Sequence, residues 1–322
     1  MEKLDLKDRK ILYQLDIDSR QSFRSIGRKV GLTKDIVASR VKRLQEKEII
    51  NGFYSRFDYS KLGLTPLRFY FKYQYITPEI KEKIIDHFIN FKHSSVVFST
   101  DGSYDLIVLV LIKRVIDIFP FWQSTLDNFG DYFTDRVFSV YASESIYGKT
   151  FLIDEKPEKT KIMLTRSTKK EEIDELDFQI LKKLASNART PTIEIAKDLN
   201  TTANIVHYRI KKLIESGIII GFKTMINWGK LGYQWYKVDL YLSEYSQTHK
   251  IIEYVESIPY LYTVDHTIGY ADLELEWIFE DVNHLNRIIE DIHSKFPRII
   301  RSHKYIRVVK PHKFLEINFD QI

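Results

Sequence analysis

The chain has 322 residues, 44% of them hydrophobic, enough to bury more than one core. It contains no cysteine, which excludes disulfides and thiolate metal sites, and no run near the roughly 18 apolar residues of a membrane span. The formal net charge of +5 is mild, so the position of charge matters more than its total, and the charged start MEKLDLKDRK, without an apolar signal core, leads us to expect a cytoplasmic protein.

Residues 1–63 read as three short helices and a strand. Ile11, Leu12 and Leu15 recur at helical spacing, and a second helix covers SFRSIGRKV. GLT breaks it, and Thr33 is placed to cap a third helix in which Ile36, Val37, Val41 and Leu44 form the expected inward stripe. Ile49, Ile50, Gly52 and Phe53 then read as a strand that makes a small wing. A tight turn before the last helix defines a helix-turn-helix, whose final helix can enter a major groove. The outward face of that helix carries Lys34, Asp35, Ala38, Ser39, Lys42 and Arg43, with Arg20, Arg24, Arg28 and Lys29 around the second helix. Small and polar residues near the helix start suit base edges, and cations farther along suit phosphates. An ordinary solvated face is the alternative reading.

Residues 64–150 change character. LRFYFKYQYI is a strand, EIKEKIIDHFINF an amphipathic helix, and SSVVFST and YDLIVLVLI are strands joined by an Asp-Gly turn. VIDIFPFWQSTLDNF returns to helix and YFTDRVFSVYASESIY ends on a strand, giving βαββαβ, a ferredoxin-like unit. Residues 151–172 are charged, lack sustained periodicity and are expected to connect two halves.

The chain then repeats itself. At a single offset of 169 positions Asp8, Arg20, Thr33 and Arg40 fall on Asp177, Arg189, Thr202 and Arg209, and Gly52, Phe53 and Gly63 fall on Gly221, Phe222 and Gly232. Shared periodicity alone would not align charged, threonine and glycine positions, so residues 173–232 and 233–322 are expected to form a second helix-turn-helix and a second ferredoxin-like unit. Thr190 and Pro191 are read as a cap followed by proline at the first helical position. Ile205, Val206, Ile210 and Leu213 repeat the inward stripe; Ala203, Asn204, His207, Tyr208, Lys211 and Lys212 form the second outward face.

These residues resemble a known family. A helix-turn-helix with D..IL..L and R.(V/I)K.L…II.GF, followed by βαββαβ with G..DL, resembles the leucine-responsive/asparagine (Lrp/AsnC) regulators. The resemblance implies an α+β fold, here two winged helix-turn-helix domains alternating with two ferredoxin-like effector or assembly (RAM) domains. It also implies a double-stranded DNA partner, an amino-acid effector near a sheet interface, and pairing through the sheets. Two copies in one chain imply an intramolecular pseudo-dimer with sheets packed face to face; a homodimer of whole chains stays open. The effector neighbourhood is the hairpin loops, with Asp101, Gly102, Tyr104 and Asp105 in one and Gly269 and Asp272 in the other. Asp-Gly is equally a plain turn signal.

The competing class is a fused siroheme decarboxylase, which resembles the same architecture and would need a basic, histidine-bearing pocket. No His-Asn-Tyr-x-Arg-like stretch precedes the turn, and His266 is the nearest candidate. The reading adopted is therefore a transcription regulator and not an enzyme, with no catalytic residues, cofactor, metal site or membrane partner expected. The nine histidines show no i, i+4 pair; His303 and His312 flank a basic stretch that is expected at a sheet edge, with metal ligation the alternative reading. The abundant tyrosine and phenylalanine alternate along strands and read as sheet core.

Overall fold

The computed structural model describes residues 2–153, 161–165 and 170–319. Asp5 accepts the Asp8 amide hydrogen at 2.7 Å and starts α1 (Leu6–Ile17); α2 (Phe23–Val30) follows. Thr33 caps α3 (Lys34–Glu46) through the Ile36 amide at 3.3 Å, as its sequence position implies. β1 (Ile50–Phe57) completes the first module. The βαββαβ unit is β2 (Thr65–Tyr73), α4 (Pro78–Asn90), β3 (Ser94–Gly102), β4 (Leu106–Ile112), α5 (Phe119–Phe129) and β5 (Phe133–Tyr147). After β6 (Lys161–Thr165) the second copy runs α6 (Glu175–Ser186), α7 (Thr192–Asp198), α8 (Ala203–Glu215), β7 (Ile219–Ile226), β8 (Gln234–Leu242), α9 (Thr248–Val255), β9 (Leu261–Ile268), β10 (Leu273–Phe279), α10 (Val282–Lys295) and β11 (Ile300–Phe314). No helix among the described residues is long and apolar enough to cross a membrane.

The charged positions of the repeat have a structural reason. Arg40 on α3 bonds Asp5 at 2.6 Å and Asp8 at 2.8 Å on α1, and Arg209 bonds Asp174 at 2.6 Å and Asp177 at 3.2 Å in the second copy. Each ion pair fixes the angle at which a third helix crosses its first. Val37, Val41 and Leu44, with Val206, Ile210 and Leu213, are buried as expected. Ile36 and Ile205 are not: they are 44% and 43% exposed. One residue turns a helix by about 100°, so Ile36 and Val37 cannot share the centre of one narrow stripe. Pro191 is itself the N-cap of α7, and Thr190 bonds the Asn187 carbonyl instead.

The expected wing is built differently. A lone strand leaves its ladder groups unpaired, and β1 finds its partner in the other copy. It pairs antiparallel with β7, Phe53 opposite Thr224 and Tyr54 opposite Lys223. Arg20 donates to the carbonyls of Ala188 and Thr190, and Arg189 donates to those of Ser19 and Gln21. One apolar core runs through both helix-turn-helix modules, including Ile11, Leu12 and Leu15 with Ile180, Leu181 and Leu184.

The two ferredoxin-like sheets face one another and are also joined at their edges. In strand order β2-β4-β3-β11-β8-β10-β9-β5, with β5 returning to β2, eight strands close into an antiparallel barrel, and β6 extends β5 outside it. Closure explains why β5 and β11 are both 15 residues long. The first part of β5 pairs with β2 of its own half and the second part with β9 of the other; β11 does the same with β8 and β3. The basic stretch around His303 and His312 therefore lies within the sheet, between β8 and β3, and not at an edge. Gly102 at φ +93° fits here because a Cβ would sit 2.6 Å from the Tyr305 carbonyl oxygen. Helices α4 and α5 cover one outer face over Phe71 and Val108, and α9 and α10 the other over Leu275 and Trp277. The expected connector contains β6; its residues 154–160 and 166–169 lie outside the described residues.

Candidate functional site

Helices α3 and α8 present the faces expected to read DNA. Lys34, Asp35, Ser39, Lys42 and Arg43 are exposed, as are Asn204, His207, Tyr208, Lys211 and Lys212, while Ala38 and Ala203 are half-buried. Lys42 makes only a loose surface pair with Glu46, at 3.8 Å, so its ammonium group is free to meet a phosphate. Arg43 donates to Asp8 at 2.6 Å, so part of its charge is already balanced by α1. Arg24 is exposed on α2, whereas Arg20 is turned inward as a clamp between copies. Ile36 and Ile205 join both outward faces and were hidden by the assumption that paired apolar residues are both core. Their side chains suit contact with a thymine methyl group.

The hairpin loops expected to hold an effector are largely occupied by their own contacts. Asp105 accepts the Tyr73 amide hydrogen at 2.8 Å and an ammonium hydrogen of Lys72 at 3.1 Å; Asp272 accepts the Leu242 amide hydrogen at 2.7 Å. Tyr104 is buried and donates to Asp135 at 2.9 Å, and Asp101 pairs with Arg307. Gly102 and Gly269 lie at the hairpin tips against the last strand of the opposite half. These residues fix turns and join halves. His266, on β9, is half-buried, and His312 lies 2.8 Å from the Ser99 hydroxyl.

Sequence reasoning missed the space inside the barrel. Beneath the end of β1 a cavity of about 100 Å³ lies between the two sheets. Phe98, Tyr141, Trp235, Tyr262 and Phe314 form aromatic walls, and Arg56, Arg68, Lys237, Glu144, Glu276 and Glu316 supply charge. Arg56 comes from β1; it pairs with Glu144 and, at 2.7 Å, with Glu316, which also accepts from Tyr59 at 3.0 Å. Arg68 lies 3.0 Å from Glu276 and 3.4 Å from both Asp265 and Glu274, with its guanidinium 4.6 Å from the Tyr141 ring centroid. Lys237 pairs with Asp239 and lies 3.0 Å from Glu274.

Six carboxyl groups thus surround three cations. Burial pushes the carboxyls of Asp265, Asp239, Glu276 and Glu316 above their ordinary range. Burial opposes ionisation of Glu274 as well, but Lys237 and Arg68 outweigh it and hold that carboxyl low. A neighbouring cleft, lined by Tyr54, Trp228, Tyr233 and Lys149, shares Phe98, Trp235 and Tyr262 with the first. Burial lowers the Lys149 ammonium to about 8.

Comparison with known proteins follows the two modules. An AsnC-type helix-turn-helix domain matches residues 4–45, and a winged helix-turn-helix DNA-binding model matches residues 173–220. The HTH-type transcriptional regulator Ptr1 of Methanocaldococcus jannaschii is 34% identical over 112 residues, covering 35% of this chain and 74% of that protein. The regulatory protein AsnC of Haemophilus influenzae is 31% identical over 118 residues, 36% of this chain and 79% of its own. The chain belongs to the Lrp/AsnC family. It carries the family's helix-turn-helix and ferredoxin-like parts twice.

This Lrp/AsnC chain also has a full-length structural likeness. The siroheme decarboxylase NirDL superposes with a TM-score of 0.64 over 97% of this chain and 93% of its own, at 12% identity. Identity so low speaks for a shared fold alone. It nevertheless overturns the expectation that the chain is not an enzyme, because an enzyme is built on the same whole-chain architecture.

Proposed function

We propose that this chain is a sequence-specific transcription regulator that reads double-stranded DNA with α3 and α8 as two unlike heads. One observation carries the reading: both helices are held on a single core with their outer faces exposed, yet those faces differ. Lys34, Asp35, Ala38 and Ser39 of the first correspond to Ala203, Asn204, His207 and Tyr208 of the second, over scaffolds that share Val37 and Leu44 with Val206 and Leu213. Asn204 suits bidentate contact with adenine, and Lys34 or Ser39 a different base edge. Residues 1–63 and 173–232 act as the DNA-binding units in this reading. Residues 64–150 and 233–322 act as effector and assembly units, joined by 151–172, in a protein of the cytoplasm.

Selection of bound fragments from random double-stranded DNA tests the reading. A reproducible motif supports it, and affinity without sequence preference counts against it. Light scattering separates a single pseudo-dimeric chain from a homodimer of chains. An effector response belongs to the reading, and the family implies an amino acid; a thermal-shift screen at millimolar concentrations tests that class.

A second reading, a siroheme decarboxylase-like activity, is favoured by the full-length fold. In the inter-sheet cavity its carboxylate-rich substrate would meet Glu144, Glu276 and Glu316 together with Arg56, Arg68 and Lys237, cations that are already paired with carboxyls. Adding siroheme and following its absorbance decides, since a saturable spectral shift would support the enzyme.

A further inference from the structure

We infer that the inter-sheet cavity is a binding site for an aliphatic polyamine-class cation, whose occupancy Arg56 and Tyr59 transmit to the paired helix-turn-helix modules. The scaffold does not require the acidic wall. Strand registers equate Tyr70, Phe98, Ile107 and Leu109 of the first half with Asp239, Asp265, Glu274 and Glu276 of the second. The same barrel is therefore built once with apolar or aromatic inner residues and once with carboxyls. The roof is also one-sided: at the repeat offset Arg56, Asp58 and Tyr59 become Met225, Asn227 and Trp228. Burying a carboxylate costs several kcal/mol even beside a cation. With Glu144 and Glu316 these four make six carboxyls around only Arg56, Arg68 and Lys237, a surplus of negative charge that points to a further cation.

Two buried carboxylate oxygens just behind the lining have no hydrogen-bond partner. Asp265 is fully buried; one carboxylate oxygen accepts from Tyr141 at 3.1 Å and faces Arg68, both cavity residues, while Oδ1 has no partner. Oδ2 of fully buried Asp239, which pairs with the lining residue Lys237, is likewise unpartnered. The carboxyls fall into two groups, Glu144 and Glu316 around Arg56, and Glu276, Asp265 and Glu274 around Arg68. Aromatic walls lie with them, and aromatic faces attract ammonium groups. Two acidic groups beside an aromatic and apolar lining fit ammonium groups joined by a hydrocarbon spacer. Among the described residues no group of three histidine or carboxylate side chains is arranged to hold a metal ion, and the aromatic walls favour an organic cation.

The link to DNA follows from connectivity. Arg56 and Tyr59 reach Glu144 and Glu316 from β1 and the turn after it, and β1 pairs with β7 across both modules. A cation that competes with Arg56 for Glu144 and Glu316 acts directly on the strand that fixes the separation of α3 and α8. This second half of the inference rests on the regulator reading; the binding site itself does not.

Calorimetric titration of the full chain with putrescine and spermidine tests the site, with leucine and glutarate as zwitterionic and anionic comparisons at equal ionic strength. The expected result is saturable one-to-one binding of the amines, weakened at least about tenfold in Glu276→Gln, roughly one lost charge contact. Glu276→Leu, which installs the residue that the first half already carries as Leu109, should fold and lose the amine. Absence of saturable heat, equal binding by folded Glu276→Leu, or preference for leucine or glutarate overturns the site. Because polyamines also bind DNA directly, the coupling is read as a difference. Spermidine should change the affinity of wild type for its selected DNA by a factor that Glu276→Leu does not show. An identical change in both proteins overturns the coupling, and failure to bind any DNA specifically without spermidine overturns only the regulator reading.

Discussion

Asp265 is where burial and charge conflict most openly. Its neighbours are Arg68, Tyr141, Glu144, Glu274 and Glu276, and burial followed by the Glu144 charge raises its carboxyl well above the ordinary range. A carboxyl raised on folding takes up protons in the native state, so its contribution favours the fold at low pH. That contribution is lost as pH rises from the unfolded value of about 3.9 through the folded one. Asp265→Asn keeps an acceptor for Tyr141 and does not titrate. Its stability relative to wild type should therefore rise between about pH 4 and pH 8 in urea denaturation; a constant difference would contradict the assigned ionisation. On the reading face, Lys42→Ala should weaken binding to all sequences and reduce the magnitude of the salt slope by about one unit. An altered sequence preference with an unchanged slope would reassign Lys42 to a base. Helical periodicity revealed the exposure of Lys34, Ser39 and Asn204, since facing is a local property. It could not reveal that Arg20 turns inward or that Arg43 meets Asp8, because those partners lie far away in sequence or on another helix.

Among the elements, the ribbon of β1 and β7 and the reciprocal arginines hold the two modules together. Arg20→Ala leaves the carbonyls of Ala188 and Thr190 without their donor, and should lower the urea midpoint by the equivalent of about 1–2 kcal/mol. Arg189→Ala should cost a similar amount, since it removes the mirror contacts to Ser19 and Gln21. Unchanged midpoints in both variants would remove the clamp. Element order was legible throughout both βαββαβ units because hydrophobic period and turn residues are written locally. Pairing was not. β1 looks like half of a hairpin until the second copy supplies β7, and KIMLT is a strand only because β5 offers an edge. Glu274 and Glu276 alternate with Leu273, Leu275 and Trp277, the pattern of a strand with one wet face. Barrel closure turns that face inward, which is why the cavity went unread.

For the whole molecule, duplication within one chain frees the two halves from symmetry. A homodimer must present identical reading heads and matches a near-palindromic site, with half-sites spaced by about a helical turn or a multiple of it. Here α3 and α8 are fixed by one core but carry different outer residues, and four inner barrel positions hold carboxyls in the second half and apolar or aromatic residues in the first. The same freedom underlies both the proposed asymmetric site and the unequal lining of the cavity. Each good base contact contributes roughly 1–3 kcal/mol of discrimination, so losing one head should relax one half of the site and leave the other intact. Footprinting of wild type, Ser39→Ala and Asn204→Ala on the selected DNA measures this directly. The account predicts a non-palindromic footprint with two unlike half-sites, one weakened by Ser39→Ala and the other by Asn204→Ala. A perfect palindrome protected equally by wild type and Asn204→Ala would contradict it.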